Sequence, residues 1–135
     1  MKGWIELEVY DKNGNLKQRK VTHNYTFNVH KTDFVKTGVG HIHWIGIGTD
    51  NSAGSPDDEP TLKNILREEE CSRETEGDFG VVCSHTFTYF EDSYDIWEVG
   101  LKLDNGKYLT RAVLDSPVTV DPDNNIKVIY HFTVE

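Results

Sequence analysis

Apolar and polar positions alternate with a period of two along most of the chain, and short clusters of Asn, Asp and Gly interrupt the alternation. A β-strand sends successive side chains to opposite faces, so each alternating run predicts a strand buried on one side. The run Trp4–Tyr10 puts Ile5, Leu7 and Val9 on one face and Trp4, Glu6, Glu8 and Tyr10 on the other. Asn13-Gly14 then predicts a two-residue type I′ turn, with Lys12 opposite Asn15 and Glu8 opposite Arg19, an opposite-charge pair on a wet face.

Further strands are predicted in "HIHWIGIG", "FGVVCSHTFTYF", "YDIWEVGLKL" and "NIKVIYHFTVE", the last with Ile126, Val128, Tyr130, Phe132 and Val134 on one side. Asp104-Asn105-Gly106-Lys107 is the clearest hairpin signal. With Asn105-Gly106 as its loop, Leu103 faces Tyr108, Leu101 faces Thr110, Val99 faces Ala112 and Trp97 faces Leu114. A slip of one residue would expose this nearly all-apolar face, so the register is strongly specified. The same register sets Glu98 diagonal to Arg111 on the polar face, which predicts a structural ion pair rather than a general acid.

Helical spacing is scarce. Leu62, Ile65 and Leu66 in "PTLKNILREEECSRET" predict one or two helical turns, and a single turn is expected around Asp33–Lys36. Residues 49–60 read as a loop on their Asn, Ser, Gly, Pro and Asp content. The expectation is an all-β, single-domain antiparallel β-sandwich over residues 1–135, of jelly-roll or immunoglobulin-like type. Residues 1–30 form its N-terminal hairpin region and 41–135 its main strands.

Length and charge narrow the function classes. A chain of 135 residues suits one domain with a core. Lys and Arg number 14 against 23 Asp and Glu, a formal charge of -9. That balance argues against binding to nucleic-acid backbones or anionic membrane surfaces, both of which need clustered cations. No signal-peptide-like run opens the sequence and no apolar segment reaches the ~18 residues of a membrane span, so synthesis in a cytoplasm is expected. Cys71 and Cys83 are the two cysteines; without a CxxC they read as buried or free thiols, with a disulfide as the less favoured alternative.

The stretch "HIHWIGIGTDNSAGSPDDEP" raises a metal question. His41 and His43, two apart on a strand, share a face as a two-histidine site requires, with His85, Asp50, Asp57 and Asp58 as candidate further ligands. None stands at a diagnostic spacing, and the same parity aligns the pair with Ile45 and Ile47, so a strand end is the stronger reading. Counted from Asp50, position twelve of a calcium loop falls on Thr61 instead of Glu, so the helix-loop-helix calcium pattern is absent. The glycines lack a following Lys-Ser/Thr and a helix to receive a phosphate, and Gly46 and Gly48 read as positions of close packing. Cys83 and His85 share a face without a nucleophile elbow. No enzyme activity and no cofactor are expected.

Five segments, in their order, resemble a group of tailed-bacteriophage virion proteins, small β-sandwich subunits of tail, neck or head decoration. They are Ile45–Thr49, Thr61-Leu62 leading to Arg67 or Arg73, Glu98-Val99-Gly100-Leu101, Leu109–Ala112 and Ser116–Val120. The resemblance covers the last two thirds of the chain. It implies a non-enzymatic virion structural protein that self-associates as a trimer or ring and docks on a major capsid or tail protein. Asp50, Asp57, Asp58, Glu59, Arg67 and Arg73 are then the contact candidates. The alternative is a carbohydrate- or receptor-binding β-sandwich module using exposed aromatics such as Trp44 and Tyr94.

Overall fold

The alternating runs form nine strands among the residues that the computed structural model describes, which are 2–26, 42–53, 60–76 and 80–133. In chain order they are β1 (Lys2–Asp11), β2 (Leu16–Thr26), β3 (Ile42–Gly48), β4 (Ile65–Glu70), β5 (Ser72–Glu76), β6 (Gly80–Phe87), β7 (Tyr94–Leu103), β8 (Tyr108–Val120) and β9 (Asn124–Thr133). They pair antiparallel into a five-stranded sheet, β2-β1-β9-β6-β5, and a four-stranded sheet, β4-β3-β7-β8. The two sheets pack face to face as a single β-sandwich.

The inner faces are those the alternation predicts. Ile5, Leu7, Val9, Ile126, Val128 and Tyr130 are buried from the larger sheet, against Ile45, Ile47, Val99, Leu101 and Ala112 from the smaller. A polar contact crosses this core, where the Thr110 and Tyr130 hydroxyl oxygens lie 2.8 Å apart, so neither of these buried hydroxyls is left unsatisfied.

Both hairpin loops are one residue longer than the sequence suggests. Gly14 N–H donates to Asp11 O at 3.1 Å and Asp11 N–H to Asn15 O at 2.9 Å, while Gly106 and Leu103 make the equivalent pair of bonds with Leu103 and Lys107. Gly14 (φ 81°) and Gly106 (φ 87°) take positive φ and the preceding asparagines do not, whereas a type I′ turn needs both. Each loop is a tight turn closed by a glycine bulge. In the first, the Asp11 carboxylate accepts the Asn13 and Asn15 N–H groups, both at 2.9 Å, and so fixes the three-residue form. Glu8 nevertheless lies opposite Arg19.

The β7–β8 register agrees with expectation in its middle and departs from it at both ends. Leu101 faces Thr110 and Val99 faces Ala112, but Tyr108 lies opposite Lys102 instead of Leu103. Beyond Glu98 and Val113 the ladder breaks and resumes with Ile96 opposite Val118, so Trp97 and Leu114 are not partners. The residues in excess on β8 include Ser116 and Pro117, and proline, which has no N–H to give a ladder, is tolerated at such a bulge on an edge strand.

No helix forms among the described residues, and the turns expected in 60–75 are replaced by β4 and β5. The three apolar residues that mimicked helical spacing do separate jobs: Leu62 is buried, Leu66 packs against the core and Ile65 is exposed. Glu68–Glu70 occupy an edge strand, where charge discourages pairing with a second sheet. The turn expected at Asp33–Lys36 lies outside the described residues.

Candidate functional site

Glu98 sits on the outer side of β7, where alternation predicts solvent, yet its side chain has no exposed area. The stretches 49–53 and 60–64 explain this, because they close over the carboxylate. Oε2 accepts the Asp50 N–H at 3.1 Å and the Asn64 N–H at 2.9 Å; Oε1 accepts the Lys63 N–H at 2.8 Å and Arg111 Nε at 2.9 Å. The four donors come from both arms of the loop and from β8, and they satisfy a buried charge that would otherwise be very costly.

Arg111 extends the latch. Its guanidinium donates to Ser52 O at 2.9 Å and Asp50 O at 3.5 Å, and stands 3.5 Å from the Asp50 carboxylate. Thr49 N–H donates to Asn64 O at 3.1 Å, Asn64 Nδ2 to Thr49 Oγ1 at 2.6 Å, and Lys63 Nζ reaches Ser52 Oγ and Ala53 O at 3.1 and 3.3 Å. The Ser52 hydroxyl and N–H bond the Asp50 carboxylate, holding it below the usual carboxylate range. Residues 49–53 and 60–64 are thus zipped together over the sheet.

Glycines provide the floor. A Cβ on Gly48 would lie 2.5 Å from both Asn64 O and Glu98 Oε2, and one on Gly46 would collide with the Tyr108 hydroxyl and lie 2.8 Å from Leu62 Cδ1. Gly100 would meet Thr110 O at 2.7 Å and the Tyr108 ring at 2.9 Å. The missing side chains leave a trough occupied by Leu62 and Tyr108. Burial, and then the hydrogen bond Tyr108 gives Glu68 Oε1 at 2.6 Å, push the phenol pKa up. Lys102 Nζ bonds the other Glu68 oxygen at 2.8 Å and lies over the Trp44 ring, 5.6 Å from its centroid.

The other candidates are dispersed. His43 is displaced from the Ile45–Ile47 face by a register break between Ile42 and Trp44, which gives Ile42 the core position; the His43 ring instead meets Glu70 Oε1 at 3.1 Å. His85 pairs with Glu69 at 2.8 Å. His41, Asp57, Asp58 and Glu59 lie outside the described residues. No group of three or more His, Cys, Asp or Glu among the described residues is placed to hold a metal ion.

Arg67 bonds the Glu69 carboxylate at 2.7 Å and Thr88 O at 2.6 Å, and Arg73 donates to Ile42 O at 2.7 Å, so both bind within the fold. Tyr94 packs against the core. Cys71 and Cys83 are free thiols. The hydrogen bond from Cys83, and then nearby Arg73, lower the Cys71 pKa, while that same bond and burial raise Cys83.

Sequence reasoning found the Glu98–Arg111 partners and missed the enclosure around them. Its signal was the spacing Gly46-x-Gly48 opposite Gly100, which leaves room for a covering segment. No family model, curated protein or solved structure matches the chain.

Proposed function

We propose that this protein is a non-enzymatic structural subunit of a tailed-phage virion, self-associating as a trimer or ring and docking on a capsid or tail protein through the loop at 49–60. The observation that carries the reading is the Glu98 latch. Replacing a buried ion pair by apolar residues is often neutral or stabilising, whereas losing one partner costs about 3–5 kcal/mol. Such a pair is therefore a poor way to gain stability and a good way to specify geometry.

Here the specified geometry is that of the stretches 49–53 and 60–64, and in the sequence Asp57, Asp58 and Glu59 lie between them. Fixing the two ends of a contact segment in this way lowers the ordering entropy left to lose at docking. Repetition around a symmetric particle then multiplies a modest contact by avidity. The virion reading rests on the resemblance of the ordered segments from Ile45 to Val120, and Glu98 is one glutamate of that set.

Sedimentation velocity across micromolar concentrations tests the assembly. A closed oligomer of fixed mass is expected, and a monomer at every concentration would overturn the proposal.

A further inference from the structure

Tyr89 has the only positive φ among the described non-glycine residues, 61°, and its side chain is 89% exposed. A bulky residue in the left-handed region is strained, and an exposed ring gains no burial in return. The surroundings nevertheless enforce it. Arg67 donates to Thr88 O at 2.6 Å and to Tyr89 O at 3.4 Å, and its guanidinium lies 4.8 Å from the centroid of the Phe90 ring, which is buried. The segment carrying Tyr89 is fixed from beneath while the ring is held out.

Beside that ring is a surface cleft of about 240 Å³ lined by Leu66, Arg67, Tyr89, Phe90, Glu91 and Tyr94. Its volume falls below the ~300 Å³ at which pockets for drug-sized ligands begin, so it suits one small ring. The Arg67 cation is already paired with Glu69, and the remaining charge is the exposed Glu91 carboxylate, a poor setting for an anionic ligand. Tyrosine rings present an electron-rich face that favours polarised C–H groups, and their hydroxyls and the carboxylate bond hydroxyl groups.

We infer that this cleft is a binding site for one residue of a neutral saccharide, stacked on Tyr89 with its hydroxyls directed to Glu91 and Tyr94. The site shares no lining residue with the 49–60 segment and does not depend on self-association. It also shifts the aromatic platform away from Trp44, one face of which is covered by Lys102.

The test is an array of immobilised neutral and acidic oligosaccharides probed with wild type, Tyr89→Ala and Tyr89→Gly, with thermal unfolding in parallel. Glycine relieves the left-handed strain while removing the ring. The expected result is saturable binding of wild type to neutral glycans, weakened at least tenfold in both variants, with the Tyr89→Gly protein unfolding at the same or a higher temperature than wild type. Binding only to acidic glycans, or binding unchanged in the variants, would overturn the inference. So would a wild type silent on the array whose oligomer is lost in Tyr89→Gly, which would make Tyr89 a protein contact.

Discussion

Arg111 Nε donates to Glu98 Oε1 at 2.9 Å, and neither side chain is free in solvent: 8% of Arg111 and none of Glu98 is exposed. The pair binds both 49–53 and 60–64, so its removal is felt by both stretches. Glu98→Gln keeps the shape but turns an amide N–H₂ toward groups that are themselves donors. It is expected to lower unfolding free energy in urea by about 3–5 kcal/mol. The double variant Glu98→Gln/Arg111→Met is expected to lose less than the sum of the two singles, because each partner's removal already strands the other.

Gly48 faces the same carboxylate from β3. A methyl group there would lie 2.5 Å from backbone Asn64 O as well as from Glu98, and the backbone cannot swing aside as a side-chain tip can. Gly48→Ala should cost about 1–3 kcal/mol in denaturant titrations, the range for overpacking, while Gly14→Ala should destabilise through φ alone, since nothing lies within 4 Å of its Cβ position.

The Glu69–His85 contact between β4 and β6 gives a pH dependence. Partial burial pushes Glu69 up, but hydrogen bonds from His85 and Arg67 more than offset it and leave the carboxyl below its ordinary value. A depressed folded pKa means that this contribution is fully present above the unfolded pKa of about 4.3 and disappears as pH falls through the folded value. Removing the carboxylate with Glu69→Gln should therefore flatten the fall in melting temperature between about pH 5 and pH 3, relative to wild type.

Cysteine reactivity should be ordered. Cys71 is half-buried with a lowered pKa, and Cys83 is fully buried with a raised one. Iodoacetamide at mild alkaline pH is expected to label Cys71 first and Cys83 only after urea unfolding, as peptide mass spectrometry would show.

The strands were legible because Ile5, Leu7 and Val9, or Ile126, Val128 and Tyr130, sit on single inner faces, where period two and burial agree. The segment 60–75 was misread because Leu62, Ile65 and Leu66 have three different environments that no local period describes. At the candidate site the hairpin register could be counted, so the Glu98–Arg111 pair could be reached from sequence. Its burial could not, since it depends on Asp50, Lys63 and Asn64 arriving from more than thirty positions away. Nothing in the sequence sets Tyr89 apart from the other aromatic residues, and its positive φ and exposed ring are seen only in the fold.

If the Glu98–Arg111 pair serves to hold a contact segment as proposed, replacing residues 54–59 with a Gly/Ser segment of equal length, with Asp50, Lys63, Asn64, Glu98 and Arg111 untouched, should remove the contact and spare the fold. Sedimentation velocity of this variant beside wild type is predicted to show a monomer with an unchanged thermal midpoint. An oligomer of the same mass as wild type would rule out 54–59 as the contact.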